Sequence, residues 1–369
     1  MKAFDVLVVG GGIAGLSVSA ELAATMHVLL LEAETALGYH STGRSGAVFG
    51  RSYGNATILE LNAMAARFFE APPEGFTDQA LFKPRPWLII AREDQAQAAA
   101  RWRSLPTKME VIEAADLPSA AGGLLRQGYA QIGFLDRNCG DINVHALTEG
   151  YRRQLLSRGG EIVVGARVEA LSRSGSEWTV KAADHSFSAP LVVNAAGGWA
   201  DALAALAGLP PLGLVPLRRS AAIVEPSAAI EVSRLPVILD AEEQFYFKPE
   251  GGKLMISPAD ETACAPSDVQ PEEIDIAHAV DRYERATGQQ VRHISHRWAG
   301  MRTFAKDRTP VVGLDPRIDG FLWLAGQGGY GIQIAPALAS IAASIGLGGP
   351  VDPVLKVALD PSRLISSHD

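Results

Sequence analysis

The stretch Val6-Leu7-Val8-Val9-Gly10-Gly11-Gly12-Ile13-Ala14-Gly15 decides the fold of this 369-residue chain. Residues 4–9 hold a short apolar, β-branched run, which predicts a buried strand. The segment 17–25 (SVSAELAAT) is predicted to be a helix, and residues 27–31 a second strand. Strand, helix and strand in this order predict the first βαβ unit of a parallel sheet.

The glycines after the first strand fit the pattern G-x-G-x-x-G through Gly10, Gly12 and Gly15. In a strand–turn–helix context, the first glycine permits a tight turn and the second lets the backbone approach a pyrophosphate. The third allows close packing of helix on strand, and the helix amino end favours the phosphate charge. Glu32 follows Gly10 at about the ~20-residue offset of a ribose-binding carboxylate. These residues predict a dinucleotide site, with nicotinamide and flavin cofactors both open.

The rest of the chain divides into two kinds of segment. Residues 191–194 and 321–325 read as buried strands that lead into glycine-bearing turns, as in the opening unit. The middle instead contains strand-like segments joined by proline and glycine turns, which predicts an antiparallel sheet inserted into the α/β domain. Those segments are residues 87–91, 220–224, 244–248 and 253–257, with a hairpin connection at 249–252. The predicted dinucleotide-binding domain comprises residues 1–78, 140–210 and 300–369, and the substrate domain residues 79–139 and 211–299.

Charge and composition exclude several classes of protein. The chain has 33 Lys and Arg against 41 Asp and Glu, a formal charge of −8, which argues against a nucleic-acid binder or a protein of anionic membranes. No stretch reaches the roughly 20 apolar residues of a membrane span. Two cysteines, Cys139 and Cys264, are too few for a disulfide framework, and no metal site is expected. We expect a cytoplasmic globular protein without an integral membrane segment.

Two further glycine-bearing turns favour a flavin over a nicotinamide. One spans residues 194–198 after a predicted strand, and the other spans residues 326–331 near the carboxyl end. Backbone amides in the later turn can reach an isoalloxazine ring while the first motif holds the adenosine side. A helix predicted at 335–345 would place its positive amino end near the pyrimidine of the reduced flavin.

The motifs together resemble one family. Residues 10–15, GYHSTGRS at 38–45, PRP at 84–86, RRS at 218–220, WAGMR at 298–302 and QGGYGIQ at 327–333 are similar to those of FAD-dependent amino-acid oxidoreductases. These form the D-amino acid oxidase, glycine oxidase and sarcosine oxidase superfamily, and the nearest resemblance is to bacterial D-arginine dehydrogenases. The resemblance implies an α/β fold: a Rossmann-type FAD-binding domain with an inserted antiparallel-sheet α+β substrate domain.

The resemblance also implies which residues hold the cofactor. No cysteine lies where the covalently flavinylated sarcosine oxidases have theirs, so FAD is expected to be non-covalent. The implied cofactor-binding residues are Gly10, Gly12, Ile13, Ala14, Gly15, Glu32, Ser41, Thr42, Arg44, Ser45, Gly46, Val168, Ala196, Gly197, Gly328, Gly329, Tyr330, Gly331, Ile332 and Gln333.

The implied substrate site centres on a carboxylate clamp. Arg219, Arg302 and Tyr246 would bind the amino-acid carboxylate, which suits guanidinium groups because they grip carboxylates bidentately. Gly329 would supply a backbone carbonyl near the amine, and Tyr53 a mobile cover over the pocket. We expect His40, His293 and His296 to be structural, because spacing shows no carboxylate partner for them.

Two departures from the D-arginine enzymes change the expected substrate. Trp87 stands where those enzymes have a glutamate that pairs with the substrate guanidinium, and Val48 stands in place of a histidine. The expected reaction is therefore oxidation of D-amino acids with neutral, largely apolar side chains. Hydride would leave Cα for flavin N5, and the imino acid would hydrolyse to a 2-oxo acid and ammonia.

Alternatives stay open at this point. A glycine or N-methyl amino-acid oxidase of the sarcosine type, and an FAD-binding subunit of an electron-transfer complex, are both compatible with the motifs. The electron acceptor, oxygen or a quinone or artificial acceptor, also stays open, as do the physiological substrate, the oligomeric state and any general base.

Overall fold

The computed structural model describes residues 2–107 and 109–365. Its helices and strands are labelled below in chain order. The strands are β1 (Lys2–Ala3), β2 (Val6–Val9), β3 (Val28–Leu31), β4 (Val48–Phe49), β5 (Phe82–Pro84), β6 (Trp87–Ala91), β7 (Glu110–Glu113), β8 (Ile132–Asp136), β9 (Gly140–Ile142), β10 (Glu161–Val163), β11 (Val168–Ser174), β12 (Glu177–Ala182), β13 (His185–Ala189), β14 (Leu191–Asn194), β15 (Val215–Val224), β16 (Val237–Asp240), β17 (Tyr246–Glu250), β18 (Lys253–Ser257), β19 (Thr262–Ala263), β20 (Ile294–Phe304), β21 (Val311–Leu314) and β22 (Phe321–Ala325). The α-helices are α1 (Ile13–Leu22), α2 (Ala56–Glu70), α3 (Ala96–Arg103), α4 (Leu117–Ala120), α5 (Val144–Ser157), α6 (Ala200–Leu206), α7 (Glu273–Thr287), α8 (Gly331–Gly346) and α9 (Pro353–Leu359).

A six-stranded sheet forms the dinucleotide-binding part of the molecule. Its order is β10-β3-β2-β14-β22-β21, parallel throughout except for the β21–β22 pair. The four residues of β2, β3 and β14 are all buried, as expected for a parallel sheet covered on both faces. One of the two apolar cores next to this sheet includes side chains of α1, α2, α5 and α8.

Helices α1 and α8 start earlier than the sequence predicts. Helix α1 begins at Ile13 rather than at residue 17, because the glycine turn ends at Gly12, whose extended backbone is the helix amino cap. Helix α8 begins at Gly331 rather than at 335 and contains Pro336 as its sixth residue. Both shifts bring helix amino ends closer to the glycine turns than expected.

A nine-stranded sheet forms the second part. Its path is β19-β15-β18-β17-β16-β6-β8-β7, and β20 pairs with β15. The pairs are antiparallel except for β6–β16, which is parallel. The predicted hairpin lies between β17 and β18, where Gly251 and Gly252 both have positive φ as a tight two-residue turn requires.

Smaller sheets complete the chain. One has the order β1-β13-β12-β11, and a three-stranded sheet has the order β4-β9-β5. Neither is foreseen by the sequence patterns, because their strands are short or partly exposed. The boundary predicted between residues 299 and 300 falls inside β20. The domain boundaries themselves stay a prediction.

Candidate active site

A cavity of about 440 Å³ lies between the two large sheets. One wall consists of the carboxyl ends of β2, β3, β14 and β22 with the turns that follow them, and residues 38–46 complete it. The opposite wall contains residues of β15, β17 and β20. Ligands of open parallel sheets bind at this carboxyl edge, so the cavity lies where the glycine motif predicts it.

The three motif glycines have different reasons to lack a side chain. A Cβ on Gly10, whose φ is +111°, would lie 2.4 Å from the Ala195 carbonyl oxygen of β14's end. One on Gly15 would lie 1.8 Å from the Gly10 carbonyl oxygen. A Cβ on Gly12 would contact only Thr42 Oγ1, at 3.3 Å. Gly12 lines the cavity, so the added methyl group would occupy space that a ligand can use. Gly10 and Gly15 are therefore required by the fold, and Gly12 leaves room for a ligand.

This difference gives a prediction for two matched variants. Gly15→Ala is expected to lower the melting temperature sharply or prevent folding, because the added methyl overlaps backbone atoms that cannot move cheaply. Gly12→Ala is expected to fold with a nearly unchanged melting temperature. It should bind the dinucleotide at least about tenfold more weakly, because its methyl group would occupy the position where the turn approaches the pyrophosphate. Thermal unfolding and cofactor titration of the two variants measure both effects. A Gly15→Ala protein as stable as the wild type would contradict the packing argument.

Side chains around the first glycine turn fix its geometry. The Ile13 N–H at the start of α1 donates to Thr42 Oγ1 at 3.0 Å. Glu32 accepts from the Gly11 N–H at 2.5 Å and from the Glu34 N–H at 2.8 Å, and it lines the cavity. The carboxylate is thereby held at the end of β3, the position from which it can also accept from a ribose hydroxyl.

Most residues predicted to hold the cofactor come together here. Those lining the cavity are Gly10, Gly12, Ile13, Ala14, Glu32, Ser41, Thr42, Arg44, Ser45, Gly46, Val168, Ala196, Gly197, Gly328, Gly329, Gly331 and Ile332. The guanidinium of Arg44 is engaged elsewhere: it donates to the carbonyls of Val269 and Ala299, each at 3.1 Å, and pairs with Asp268.

Gly15, Tyr330 and Gln333 do not line the cavity. Gln333 is 4% exposed and accepts from the Gly50 N–H at 3.0 Å while donating to Asn62 Oδ1 at 2.9 Å. It therefore anchors the loop before α2 to α8. The Tyr330 ring packs 5.3 Å from the ring of Tyr53. Tyr330 and Gln333 both belong to the QGGYGIQ motif, but a motif does not show which way a side chain points.

Two cavity residues outside the predicted cofactor set, His40, which the sequence analysis expects to be structural, and Gln327, carry buried polar atoms without a partner among the described residues. His40 Nδ1 and Gln327 Nε2 are buried and have no hydrogen-bond partner among the described residues. His40 lies in the GYHSTGRS motif and Gln327 in the QGGYGIQ motif, and this membership is the sequence feature that could have indicated a role in the cofactor site. Such atoms in a cavity are what a polar ligand satisfies, so the residues present fit a dinucleotide. His40 also has a carboxylate partner, Glu34 at 3.0 Å, which sequence spacing did not reveal.

The predicted clamp residues share one face of the nine-stranded sheet. Side chains alternate along a strand, and Arg218 reaches Asp275 of α7 at 2.9 Å, so Arg219 faces the opposite way. Leu217 pairs with Arg302 across β15 and β20, which puts Arg302 on the face of Arg219. Tyr246 faces that way as well, because its neighbour Phe247 packs against Tyr283 of α7. All three clamp side chains line the cavity.

Arg302 is the distinctive group of this face. Its guanidinium has no hydrogen-bond or ion-pair partner in the part of the chain that the structure describes. A Cβ on Gly329 would lie 2.8 Å from Nη1, so the guanidinium packs against the glycine backbone of the β22–α8 turn. Burial lowers the pKa of Arg302, but nearby Tyr246, Tyr53 and Glu261 outweigh it and leave the pKa raised. A lasting positive charge without a partner suits an anionic ligand group.

Arg219 differs from Arg302 because it is partly satisfied. It is 9% exposed, and it donates from Nε to the Asp260 carbonyl at 2.8 Å and from Nη2 to Glu261 at 3.2 Å. Burial, followed by the charge of Arg302, lowers its pKa. Glu261 is shared with Arg308, at 3.0 and 2.7 Å. Two close guanidinium groups repel each other until an anion binds between or beside them.

Tyr53 connects the loop before α2 to the other sheet. Its hydroxyl donates to Glu243 Oε2 at 2.6 Å, and its ring lies 5.8 Å from the ring of Trp87. Burial, reinforced by Glu243, raises the pKa of Tyr53 well above its ordinary value. Glu243 sits in the β16–β17 turn with a positive φ of 57°. Tyr53 does not line the cavity in this conformation, so its role as a cover stays a prediction.

Trp87 and Val48 do not line the cavity. Trp87 is 4% exposed, and a Cβ on Gly50 would lie 2.6 Å from its Cη2 atom. Val48, the first residue of β4, and Tyr246 pack in the same apolar cluster as Trp87. Their placement beside Tyr53 is compatible with a wall of a side-chain pocket, which stays a prediction.

Neither a metal centre nor a membrane-spanning helix is found among the residues that the structure describes. No group of three or more His, Cys, Asp or Glu side chains there is arranged to hold a metal ion. Across residues 2–107 and 109–365 no helix combines the length and apolar character that crossing a bilayer requires.

Comparisons with known proteins agree with this geometry. The family model "DAO: FAD dependent oxidoreductase" matches residues 5–345. The FAD-dependent oxidoreductase domain-containing protein 1 of Bos taurus is 25% identical over 402 aligned residues, covering 94% of this chain and 81% of that protein. Glycine oxidase from Geobacillus kaustophilus matches with a TM-score of 0.85 at 19% identity, covering 100% of both chains. L-proline dehydrogenase from P. horikoshii matches with a TM-score of 0.84 at 18% identity, covering 98% of both. The predicted fold class is confirmed.

Proposed function

The chain belongs to the DAO family of FAD dependent oxidoreductases, and from that membership we propose that it oxidises D-amino acids with neutral, largely apolar side chains. The products would be a 2-oxo acid and ammonia. The observation that carries the proposal is the Arg302 guanidinium beside Gly329, which has no partner among the described residues and so offers a carboxylate-binding charge in the cofactor cavity. Arg219 and Tyr246 on the same sheet face support it.

Different residues along the cavity would bind different parts of the cofactor. The Gly10–Gly12 turn and the amino end of α1 would hold the pyrophosphate, and Glu32 the ribose. The Gly328–Gly331 turn and the amino end of α8 would lie against the flavin, with Arg302 packed on the same turn. When bound, FAD supplies the acceptor for the two electrons and hydrogen that leave the substrate Cα.

The protein's own part in the reaction is positioning and charge. Arg302, with Arg219 beside it, would bind the substrate carboxylate and so fix the direction of the Cα–H bond. The same two positive charges, together with exclusion of water, favour the neutral amine over the ammonium form of the substrate. The substrate proton would then leave without a dedicated base. The described carboxylates near the clamp already have partners: Glu243 is bound to Tyr53, Glu261 to Arg219 and Arg308, and Asp260 to Ser220.

The decisive experiment is a stopped-flow screen of D- and L-amino acids for reduction of the bound flavin, with and without oxygen. We expect bleaching by neutral D-amino acids such as D-leucine and D-methionine. The oxygen-containing arm measures whether oxygen reoxidises the flavin or a quinone or artificial acceptor is needed. Bleaching by L-amino acids alone would overturn the proposed stereochemistry. No bleaching by any amino acid would favour an FAD-binding subunit of an electron-transfer complex.

One observation favours a second candidate, oxidation of glycine or of N-methyl amino acids such as sarcosine. Trp87 is buried against Gly50, its ring lies 5.8 Å from that of Tyr53, and neither ring lines the cavity, so the two rings leave no described space between them for a long substrate side chain. A solved relative of the same fold is named a glycine oxidase. Glycine and sarcosine therefore belong in the same screen, and a ranking led by either would replace the first candidate.

We also predict that FAD is tightly but non-covalently bound. Neither Cys139 nor Cys264 lines the cavity, so no thiol is placed to form a thioether with the flavin. Denaturing the yellow protein should release FAD into the supernatant, measured by absorbance and mass after the chain is removed. Flavin that stays with the precipitated chain would contradict the prediction.

A further inference from the structure

His40 lies in the wall of the cofactor cavity, between a carboxylate and an aromatic ring. Its Nε2 atom is 3.0 Å from Glu34 Oε1, and its ring centre is 4.6 Å from that of Trp199. Glu34 and Trp199 line the same cavity. Trp199 belongs to the short 3₁₀ segment Gly197–Trp199 after β14, whereas Glu34 follows β3. His40 therefore bridges the two sides of the glycine turn that ends β2.

The hydrogen-bond partner of Nε2 determines whether the other ring nitrogen, Nδ1, donates or accepts a hydrogen bond. Glu34 is a carboxylate, which accepts hydrogen bonds, so Nε2 carries the proton. In the neutral imidazole, Nδ1 is then an acceptor. Nδ1 is buried and has no partner among the described residues. A buried acceptor of this kind is normally satisfied by a donor, and His40 itself lines the cavity in which the cofactor would bind.

We propose that His40 is a ligand of FAD, accepting at Nδ1 a hydrogen bond from a hydroxyl group of the cofactor. FAD carries such donors on its adenosine ribose and on its ribityl chain. The cavity is lined both by the first glycine turn, which would bind the adenosine side, and by the Gly328–Gly331 turn, which would bind the flavin side. Glu34 is a positioning residue, because it fixes the protonation of Nε2 and thereby the acceptor at Nδ1. The inference goes beyond the amino-acid chemistry proposed above, since it concerns cofactor affinity alone.

The test measures FAD binding to the flavin-free full-length chain by quenching of flavin fluorescence. His40→Phe keeps a ring against Trp199 but removes the acceptor, and it is expected to raise the FAD dissociation constant about tenfold or more. His40→Asn places an amide oxygen near the position of Nδ1 and is expected to restore most of the affinity. His278→Phe, at an exposed histidine of α7, is the matched control and should bind FAD as the wild type does.

Further arms identify the hydroxyl and the role of Glu34. Titration with ADP separates the two sources, because a ribose contact weakens both ADP and FAD whereas a ribityl contact weakens FAD alone. Glu34→Gln should weaken FAD by a smaller factor, and the double variant with His40→Phe should lose no more than His40→Phe does.

The outcomes decide the proposal without any turnover measurement, so a failure here is separable from a failure of the proposed activity. Wild-type FAD affinity in His40→Phe would overturn it. Equal weakening in His40→Phe and His40→Asn would also overturn it, because the ring rather than the acceptor would then matter. If His40→Phe does not fold, wild-type affinity in folded Glu34→Gln would overturn the arrangement.

Discussion

Replacing Arg302 with methionine is expected to abolish most substrate capture while leaving FAD bound. Methionine keeps much of the side-chain volume but removes the charge that has no other partner among the described residues. Losing one partner of a buried, hydrogen-bonded charge pair costs about 2–5 kcal/mol, so kcat/KM should fall roughly thirty-fold to several thousand-fold. Steady-state kinetics with the best substrate of the screen, and the visible absorbance of bound flavin, measure the two effects.

Two other arginines calibrate this result. Arg297 lies on the same strand, is paired with Glu273 at 2.6 Å and is absent from the cavity lining, so Arg297→Met should keep wild-type kinetics. Arg219→Met should also weaken capture, but less than Arg302→Met, because Arg219 is already bound to the Asp260 carbonyl and Glu261. Wild-type kinetics in Arg302→Met would show that Arg302 is structural. The carboxylate clamp would then have to be withdrawn.

The fold was predictable from the amino end because local chemistry decides it. The apolar run before Gly10, the glycine spacing and Glu32 at the end of the next strand each depend on neighbours within a few tens of residues. Strands β6, β14, β18 and β22 coincide with the predicted segments. Tyr246 faces away from Phe247 along β17, as the alternation of side chains along a strand requires.

The site was less predictable, because its decisive features are relations between distant segments. The pairing of Leu217 with Arg302 brings Arg302 onto the face of Arg219, and only β15–β20 pairing reveals it. His40 Nδ1 has no partner among the described residues, while Nε2 contacts Glu34. Neither fact can be read from the sequence, because both depend on how the chain brings these residues together. Gln333 belongs to a motif that predicts a cofactor contact, but its side-chain amide instead accepts from the Gly50 N–H and so anchors the loop before α2. Partners of a side chain are three-dimensional facts that spacing does not contain.

The side-chain preference depends on Trp87 and is the second large effect. We expect kcat/KM for D-leucine, D-methionine or D-phenylalanine to exceed that for D-arginine. A guanidinium buried without its carboxylate loses about 2–5 kcal/mol, and an indole returns only about 0.5–2 kcal/mol through a cation–π contact. Each substrate methylene buried against the rings of Trp87 and Tyr53 gains roughly 0.8 kcal/mol. A ranking led by D-arginine would refute this argument.

Trp87→Glu then tests whether residue 87 faces the substrate side chain. The new carboxylate would stand on β6 beside Tyr53, where a basic side chain can pair with it, so the ratio of kcat/KM for D-arginine to that for D-leucine should rise at least about thirty-fold. The ratio is independent of how much of the variant is active, which matters because Trp87 is buried. Trp87→Phe is the companion variant: it introduces no charge and should favour larger neutral substrates without favouring D-arginine. An unchanged ratio in folded, FAD-loaded Trp87→Glu would place residue 87 outside the side-chain pocket, and the substrate preference would then have to be sought in the turn that carries Glu243.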